Sequence, residues 1–283
     1  MEPRHIGEPP FWDDNLERFL ERWVEAISQP PPPLLYHYTD FSGLQGILET
    51  GKLRATYTKV LNDGSERRYG ETVVLNVLRS LLTADDGCWR DAIATALNNA
   101  SRRTFVTCFC EAWDLLSMWR AYAGHGGGYC LGFASSALDN LGNDIHLRRI
   151  IYGEALPNPI SVWIKHLAML LNENFDAASP LLDFIPMLAD VIKHEAFSEE
   201  KEWRLIITNP GFERMMFRAG VVNIRPYVEL SSSMDNEKLP LKEVIYGPIL
   251  REEDQPTQII DWMLQKNGYK DIHIKPCNIP YRL

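Results

Sequence analysis

Apolar residues recur at helical spacing in "DDNLERFLERWVEAIS" (13–28), behind acidic residues suited to a helix start. The run Pro30 to Pro33 then halts any helix and stiffens the connection. The next stretch, "LLYHY" (34–38), is short, aromatic and apolar, and predicts a strand. Asp40 or Ser42 caps the helix "GLQGILET" that follows, and Gly51 ends it before a second strand, "LRATY". The polar loop "KVLNDGSERRYG" opens a long helix to about Leu82, and a further helix covers 88–99.

"RTFVTCFC" has the β-branched and aromatic content of a buried strand, "DLLSMWRAYA" a helical pattern, and "YCLGFA" the look of another strand. More strand at "HLRRIIYG" precedes two helices, 160–174 and 180–195, and then the strand "KEWRLIIT" bounded by "NPG". Strands at "VVNIRPYVEL" and "EVIYGP", a helix over 254–267 and a strand "DIHIK" complete the chain. Strands and helices mix without a regular βα repeat, so the expected class is α+β. The expected organisation is an N-terminal helix with its Pro-rich connection (1–33) packed on one domain (34–283).

The 283 residues, 45% of them hydrophobic, suffice for a substantial core. The formal charge of -9 argues against a nonspecific grip on nucleic acid, which depends on Lys and Arg neutralising phosphates. No apolar run approaches the roughly 20 residues a membrane span needs, and no early segment reads as a secretion signal, so a cytoplasmic protein with no membrane partner is expected. The five cysteines form no CxxC pair and point to reduced thiols, with neither a disulfide framework nor a metal site. Cys108 and Cys110 alternate and so share one strand face.

Four stretches are candidates for chemistry. "GHGGG" runs from helix into strand, the reverse of a phosphate-binding turn, and reads as a flexible connection with His125 as a contact residue. In "SEEKEWRLII", Glu200 and Glu202 lie two apart at a strand entrance and point to the same side, and Glu202 runs straight into Trp203 and the apolar "LII". Acidic residues there are commonly solvated, but a carboxylate held at the edge of a core suits stabilisation of a sugar cation or general base work. In "LNDGSERR", helix capping alone accounts for Asp63 and Glu66. In "DLLSMWRAY", Trp119 and Tyr122 read as core, and Arg120 as an anion or phosphate contact beside Ser117.

The succession "LYHYT", "GILETGKL", "LNDGSE", "FVTCFCE", "DLLSMWRAY", "GYCLGF" and "EKEWRL" resembles an uncharacterised bacterial domain family with the same order of motifs. Its front, a strand carrying His-x-Thr and then a helix ending in Gly before "KL", resembles the opening of the ADP-ribosyltransferase fold. That resemblance implies split antiparallel β-sheets gripping NAD in a cleft, with inserted and peripheral helices. It places His37 on a ribose hydroxyl of NAD, Thr39 beside it, and Glu202 on a late strand as the catalytic carboxylate. Glu200 would engage the acceptor, while Tyr38, Asn62, Ser117 and Arg120 would help hold the cofactor. "TFVTCFC" would be the central strand at the nicotinamide. The chain departs from the pattern in having Tyr38 where many relatives have Gly, and Thr-Cys-Phe-Cys in place of Ser-Thr-Ser.

On this resemblance the implied activity is transfer of ADP-ribose from NAD, with release of nicotinamide, to a protein, a nucleic acid, a small molecule or water. Glu202 would stabilise the oxocarbenium-like state and no metal is needed. Bacterial enzymes of this fold include toxins and antiphage effectors. A non-catalytic NAD or nucleotide sensor or interaction module is the competing class. An RNA 2'-phosphate transferase is a third, which the acidic balance disfavours. For His37 by itself, a hydrogen-bonded histidine in a half-buried strand remains the plain alternative.

Overall fold

Alternation along Leu34–Thr39 (β1) sends Leu35 into one core and Tyr36 and Tyr38 into another, so this strand is buried on both faces. The computed structural model of the chain describes residues 30–61, 64–82, 88–98, 102–142, 144–173, 179–220, 223–232 and 238–281. The helix expected at 13–28 lies outside the described residues. The Pro-rich connection ends against the sheet, where Pro32 and Pro33 carbonyls accept from the hydroxyl and N–H of Ser135.

Asp40 caps helix α1 (Phe41–Thr50) by accepting from the Gly43 N–H at 2.8 Å, and Gly51 ends it in the left-handed region at φ 65°. Leu44, Ile47 and Leu48 form its buried stripe against the sheet. Asp40→Ala is expected to cost about 1 kcal/mol by leaving that first-turn donor unpaired, read as a lowered urea midpoint with an unchanged m-value.

The remaining strands are β2 (Leu53–Tyr57), β3 (Thr104–Cys110), β4 (Tyr129–Ala134), β5 (Ile145–Arg149), β6 (Ile151–Tyr152), β7 (Ile192–Lys193), β8 (Glu202–Thr208), β9 (Met216–Ala219), β10 (Ile224–Leu230), β11 (Leu241–Tyr246) and β12 (His273–Pro276). Ten of them make one sheet in the order β12-β11-β4-β1-β3-β2-β10-β9, with β8 on the other edge of β3 and β5 beyond it. All pairs in it are antiparallel except β11 with β12. The class is therefore α+β, as expected.

The sheet forks at β3. Strand β8 pairs with β3 along its whole length, Thr104 to Cys110, so β1 and β2 must share the opposite edge. Strand β1 meets it at one pair, Tyr36 with Cys110, and β2 meets it at Thr56 with Val106 and Tyr57 with Phe105. Between those contacts, residues 107–109 of β3 face a gap between two diverging strands.

One face of the sheet packs on α1 and on α8 (Pro256–Lys266) through Leu53, Phe105, Phe133, Leu205, Val228 and Tyr246. Helices α2 (Gly64–Leu81), α3 (Cys88–Asn98), α6 (Asn158–Glu173) and α7 (Ile185–Ala189) form a second core with Ile206 on the other face. A third, smaller core holds α4 (Leu116–Tyr122) over Tyr36, Tyr38 and Cys130, while α5 (Ser135–Leu138) follows β4.

Two expectations need correction. The helix expected over 180–195 is a 3-10 segment, Ser179–Phe184, followed by α7, and it stops at Asp190. Pro186 starts a new helix in its first turn, and Ile192 and Lys193 leave to pair in parallel with β6. The strand expected at "HLRRIIYG" divides at Ile150 between β5 in the large sheet and β6 in the small one.

Candidate functional site

His37 occupies the fork. Its Nδ1 lies 2.9 Å from the Cys108 carbonyl, a β3 group that the divergence of β1 leaves without a strand partner. A carbonyl only accepts, so Nδ1 carries the proton and the neutral ring keeps Nε2 as an acceptor. Burial pushes the pKa of His37 below its ordinary value, with the Cys108 bond acting in the opposite direction, which favours the neutral form. The ring is tilted against Phe109 at 5.7 Å and remains partly accessible.

Thr39 is buried with its hydroxyl against Gly43, where a Cβ would collide with it, so this side chain locks β1 to the start of α1. Tyr38 points to the opposite face. Its hydroxyl donates to the Ala112 carbonyl at 2.9 Å and its ring meets Trp119 edge-on at 5.3 Å. Its side chain therefore anchors α4, and only its backbone borders the fork.

Glu202 opens β8 in line with Cys110 and Tyr36, so it stands on the face opposite His37. Cys108 lies between them, its carbonyl on His37 and its thiol facing Glu202. Burial and that carboxylate push the thiol well above its usual pKa, so Cys108 stays protonated. The Glu202 carboxylate takes Arg204 in a two-pronged pair, Nε at 2.6 Å and Nη2 at 3.0 Å, and Lys193 Nζ at 3.1 Å. Burial by itself pushes this carboxyl up, but Arg204 and Lys193 outweigh it and bring it down to about 2. Arg204 Nη1 donates to the Asp190 carbonyl, and the Glu202 N–H donates to the Tyr152 hydroxyl.

Glu200 is not on the strand. It ends the 3-10 segment Glu195–Glu200, and Lys201 in the left-handed region turns the chain into β8. Glu200 and Glu202 nevertheless converge, because Lys193 Nζ sits 2.6 Å from the first and 3.1 Å from the second. Lys193 itself is 3% exposed, with Phe197 against its ammonium. Glu200 is the more accessible acid, with 13% of its side chain exposed against 6% for Glu202. The Tyr122 hydroxyl reaches it at 3.5 Å.

Tyr122 was expected in the core, but it is 43% exposed, and burial of its hydroxyl together with Glu200 raises its pKa to about 12. Trp119 is the buried residue of α4. Ser117 and Arg120 are exposed on its outer side, and Arg120 lies over the ring of Tyr281 at 5.7 Å, with no hydrogen bond from either to His37 or Glu200. Asn62 lies outside the described residues. The glycine cluster is a packed turn: Gly126, at φ 89°, lies under the Tyr281 ring, and Gly128 leaves no room for a Cβ beside Ala123 and Thr39. His125 is exposed in that turn.

Sequence reading singled out neither Lys193 nor Arg204. Arg204 had a signal, since Glu202 and Arg204 alternate on one strand face; Lys193 had none, because it falls within the stretch taken as helix. Among the described residues, no group of three or more His, Cys, Asp or Glu is placed to hold a metal ion, and no helix is long and apolar enough to cross a membrane.

Residues 118–205, from α4 to the middle of β8, match the family described as Protein of unknown function (DUF2971). No curated protein and no solved structure matches the chain. The matched stretch contains Tyr122, Lys193, Glu200, Glu202 and Arg204, while His37 and the β1 side of the fork lie outside it.

Proposed function

We propose that the protein binds NAD at the fork and transfers ADP-ribose from it, with release of nicotinamide, to a protein, nucleic acid, small-molecule or water acceptor. The observation that carries this reading is His37 seated in the gap of a split antiparallel sheet with Nε2 left as an acceptor for a ribose hydroxyl. Across Cys108, on the Glu202 side of the sheet, are a partly accessible carboxylate, Glu200, and an exposed aromatic ring, Tyr122, of the kind that flanks a nicotinamide.

The division of labour between the glutamates changes from that expected. Both oxygens of Glu202 are engaged by Arg204 and Lys193, so its role is to hold those cations. Glu200 is the carboxylate that reaches the ligand and faces the developing positive charge on the ribose.

Nicotinamide release from NAD, measured with and without cell lysate, is expected to fall about 100-fold in Glu200→Gln. NAD affinity is expected to fall about tenfold in His37→Ala, the loss of one hydrogen bond to a bound ligand. Release at the wild-type rate in both variants would remove this reading.

A specific observation favours a second reading, a non-catalytic NAD sensor. Glu200 and Glu202 are matched by Lys193 and Arg204, which leaves little net negative charge for a cation to meet. NAD binding that depends on His37, without any nicotinamide release, would decide for it.

A further inference from the structure

The large sheet ends at β9, which among the described residues pairs with β10 alone. The hairpin closes at Gly220, whose N–H donates to the Asn223 carbonyl at 2.7 Å. Alternation from that closing pair makes Arg218 with Arg225 and Met216 with Tyr227 hydrogen-bonded pairs, and Phe217 with Pro226 and Ala219 with Ile224 the pairs between them. Pro226 has no N–H to give, which fits its position. The N–H and carbonyl groups of Phe217 and Ala219 therefore point outward from the sheet, where no described residue bonds to them.

Open edges recruit further strands, and proteins commonly blunt them with a proline, a bulge or an outward-pointing charge. Strand β9 contains no proline, and its register with β10 is unbroken. Its one charge, Arg218, folds back over the sheet, where Nη2 donates to the Thr56 hydroxyl at 3.2 Å and the guanidinium lies 5.9 Å from the centre of the Tyr227 ring. Phe217 and Ile224 share one face of the hairpin and are 64% and 68% exposed. Farther along β10 the same face enters the core at Val228 and Leu230, so an apolar surface continues from the core to the open edge.

The other face sets the charge of what can pair there. Met216 and Arg218 lie on it beside Tyr227, and the Arg54 guanidinium of β2 approaches the same ring at 5.1 Å. Arg54 and Arg218 are exposed and make no ion pair with a described residue. From Arg214 to Val228 the chain carries three arginines and no acid, although its formal charge is -9. A strand added beside β9 would set alternate residues against Arg218 on this face and against Phe217 and Ala219 on the other, so carboxylates suit the first set and apolar side chains the second. A second copy of β9 would bring its own Arg218 to the edge, a like-charge arrangement that weakens pairing. Nucleic acid would meet the arginines but has no backbone to continue the ladder.

We propose that the outer edge of β9 is a docking site for an extended segment of a partner protein, which adds to the sheet as a further strand with carboxylates on the arginine face and apolar side chains beside Phe217 and Ile224. The test is fluorescence anisotropy of short labelled peptides mixed with the full chain, one alternating valine with glutamate and one alternating valine with lysine. It compares the wild type, Ala219→Pro, which removes an outward N–H but no bond to β10, and Arg218→Glu. Urea unfolding shows that each variant is folded, and a labelled oligothymidylate serves as the competing polyanion.

The glutamate peptide is expected to bind the wild type about tenfold more tightly than the lysine peptide, and to weaken about tenfold in Ala219→Pro. Arg218→Glu should reverse the preference between the two peptides. No binding of the glutamate peptide, equal binding of both peptides, or binding that the folded Ala219→Pro variant leaves unchanged overturns the proposal. If the proline variant does not fold, Arg218→Glu decides by itself, and a retained preference for glutamate overturns it. Tighter binding of oligothymidylate than of the glutamate peptide overturns it in favour of a nucleic-acid surface, and a dimer on size exclusion that Ala219→Pro dissolves overturns it in favour of a second copy.

Discussion

Glu202→Gln is expected to lower the stability of the protein by about 3–5 kcal/mol, the loss typical of a buried ion pair deprived of one partner. The Arg204 side chain is 6% exposed and that of Lys193 3%, so neither cation can turn to water when the carboxylate goes. Glu200 would still face Lys193, and Arg204 would keep its bond to the Asp190 carbonyl but lose the opposing charge. Urea unfolding at pH 7 reads the loss. A double variant, Glu202→Gln with Arg204→Met, should lose less than the sum of the two single changes, because the second change removes the charge that the first strands.

The same carboxylate makes stability pH-dependent in a defined direction. Its folded pKa of about 2 lies below the ordinary 4.5, so the unfolded chain binds the proton more readily. The stabilisation is therefore complete above about pH 4.5 and is lost as pH falls toward 2. The gap corresponds to about 3 kcal/mol, the same order as the truncation cost. Acid titration of the unfolding midpoint should show this fall in the wild type and lack it in Glu202→Gln.

Trp119→Ala is the second large effect, about 3–5 kcal/mol. Trp119 is fully buried, its Nε1 donates to the Trp113 carbonyl at 2.9 Å, and Tyr38 meets its ring edge-on. Its buried core is otherwise small residues, Cys110, Ala123, Cys130 and Cys277, with Ile245 and the two tyrosines, so collapse around the void would fill it only in part. Helix α4 is only seven residues long and has no side-chain N-cap, so this core is what holds it. Its release would carry Tyr122 away from Glu200. NAD binding at the proposed site should therefore weaken together with stability, whereas Tyr38→Phe, which removes one hydroxyl but keeps the packing, should cost about 1 kcal/mol.

Local chemistry made much of the chain legible. Asp40 and Gly51 bound α1 because capping acts within a few residues, and β1, β3, β4 and β8 stand out because their apolar and aromatic residues are packed on both faces. Strand β9 left no such trace, since all four of its residues are exposed and it exists by pairing with β10. The stretch after 180 carried an apolar pattern that two α turns and a strand satisfy as well as one helix does; Pro186 and the partner strand β6 choose between them.

For the site, the sequence by itself marked His37, Glu200 and Glu202 as polar groups entering apolar strands, and it ordered them along the chain. Only the tertiary structure decided what each can do. The fork gives His37 a carbonyl to hold and a free Nε2, the Lys193 ammonium brings the two glutamates together, and Arg204 commits Glu202 to the interior. The physical reason is that capping and alternation operate over a few residues, whereas the charge state and reach of a buried carboxylate depend on cations delivered by strands that meet only in the folded sheet.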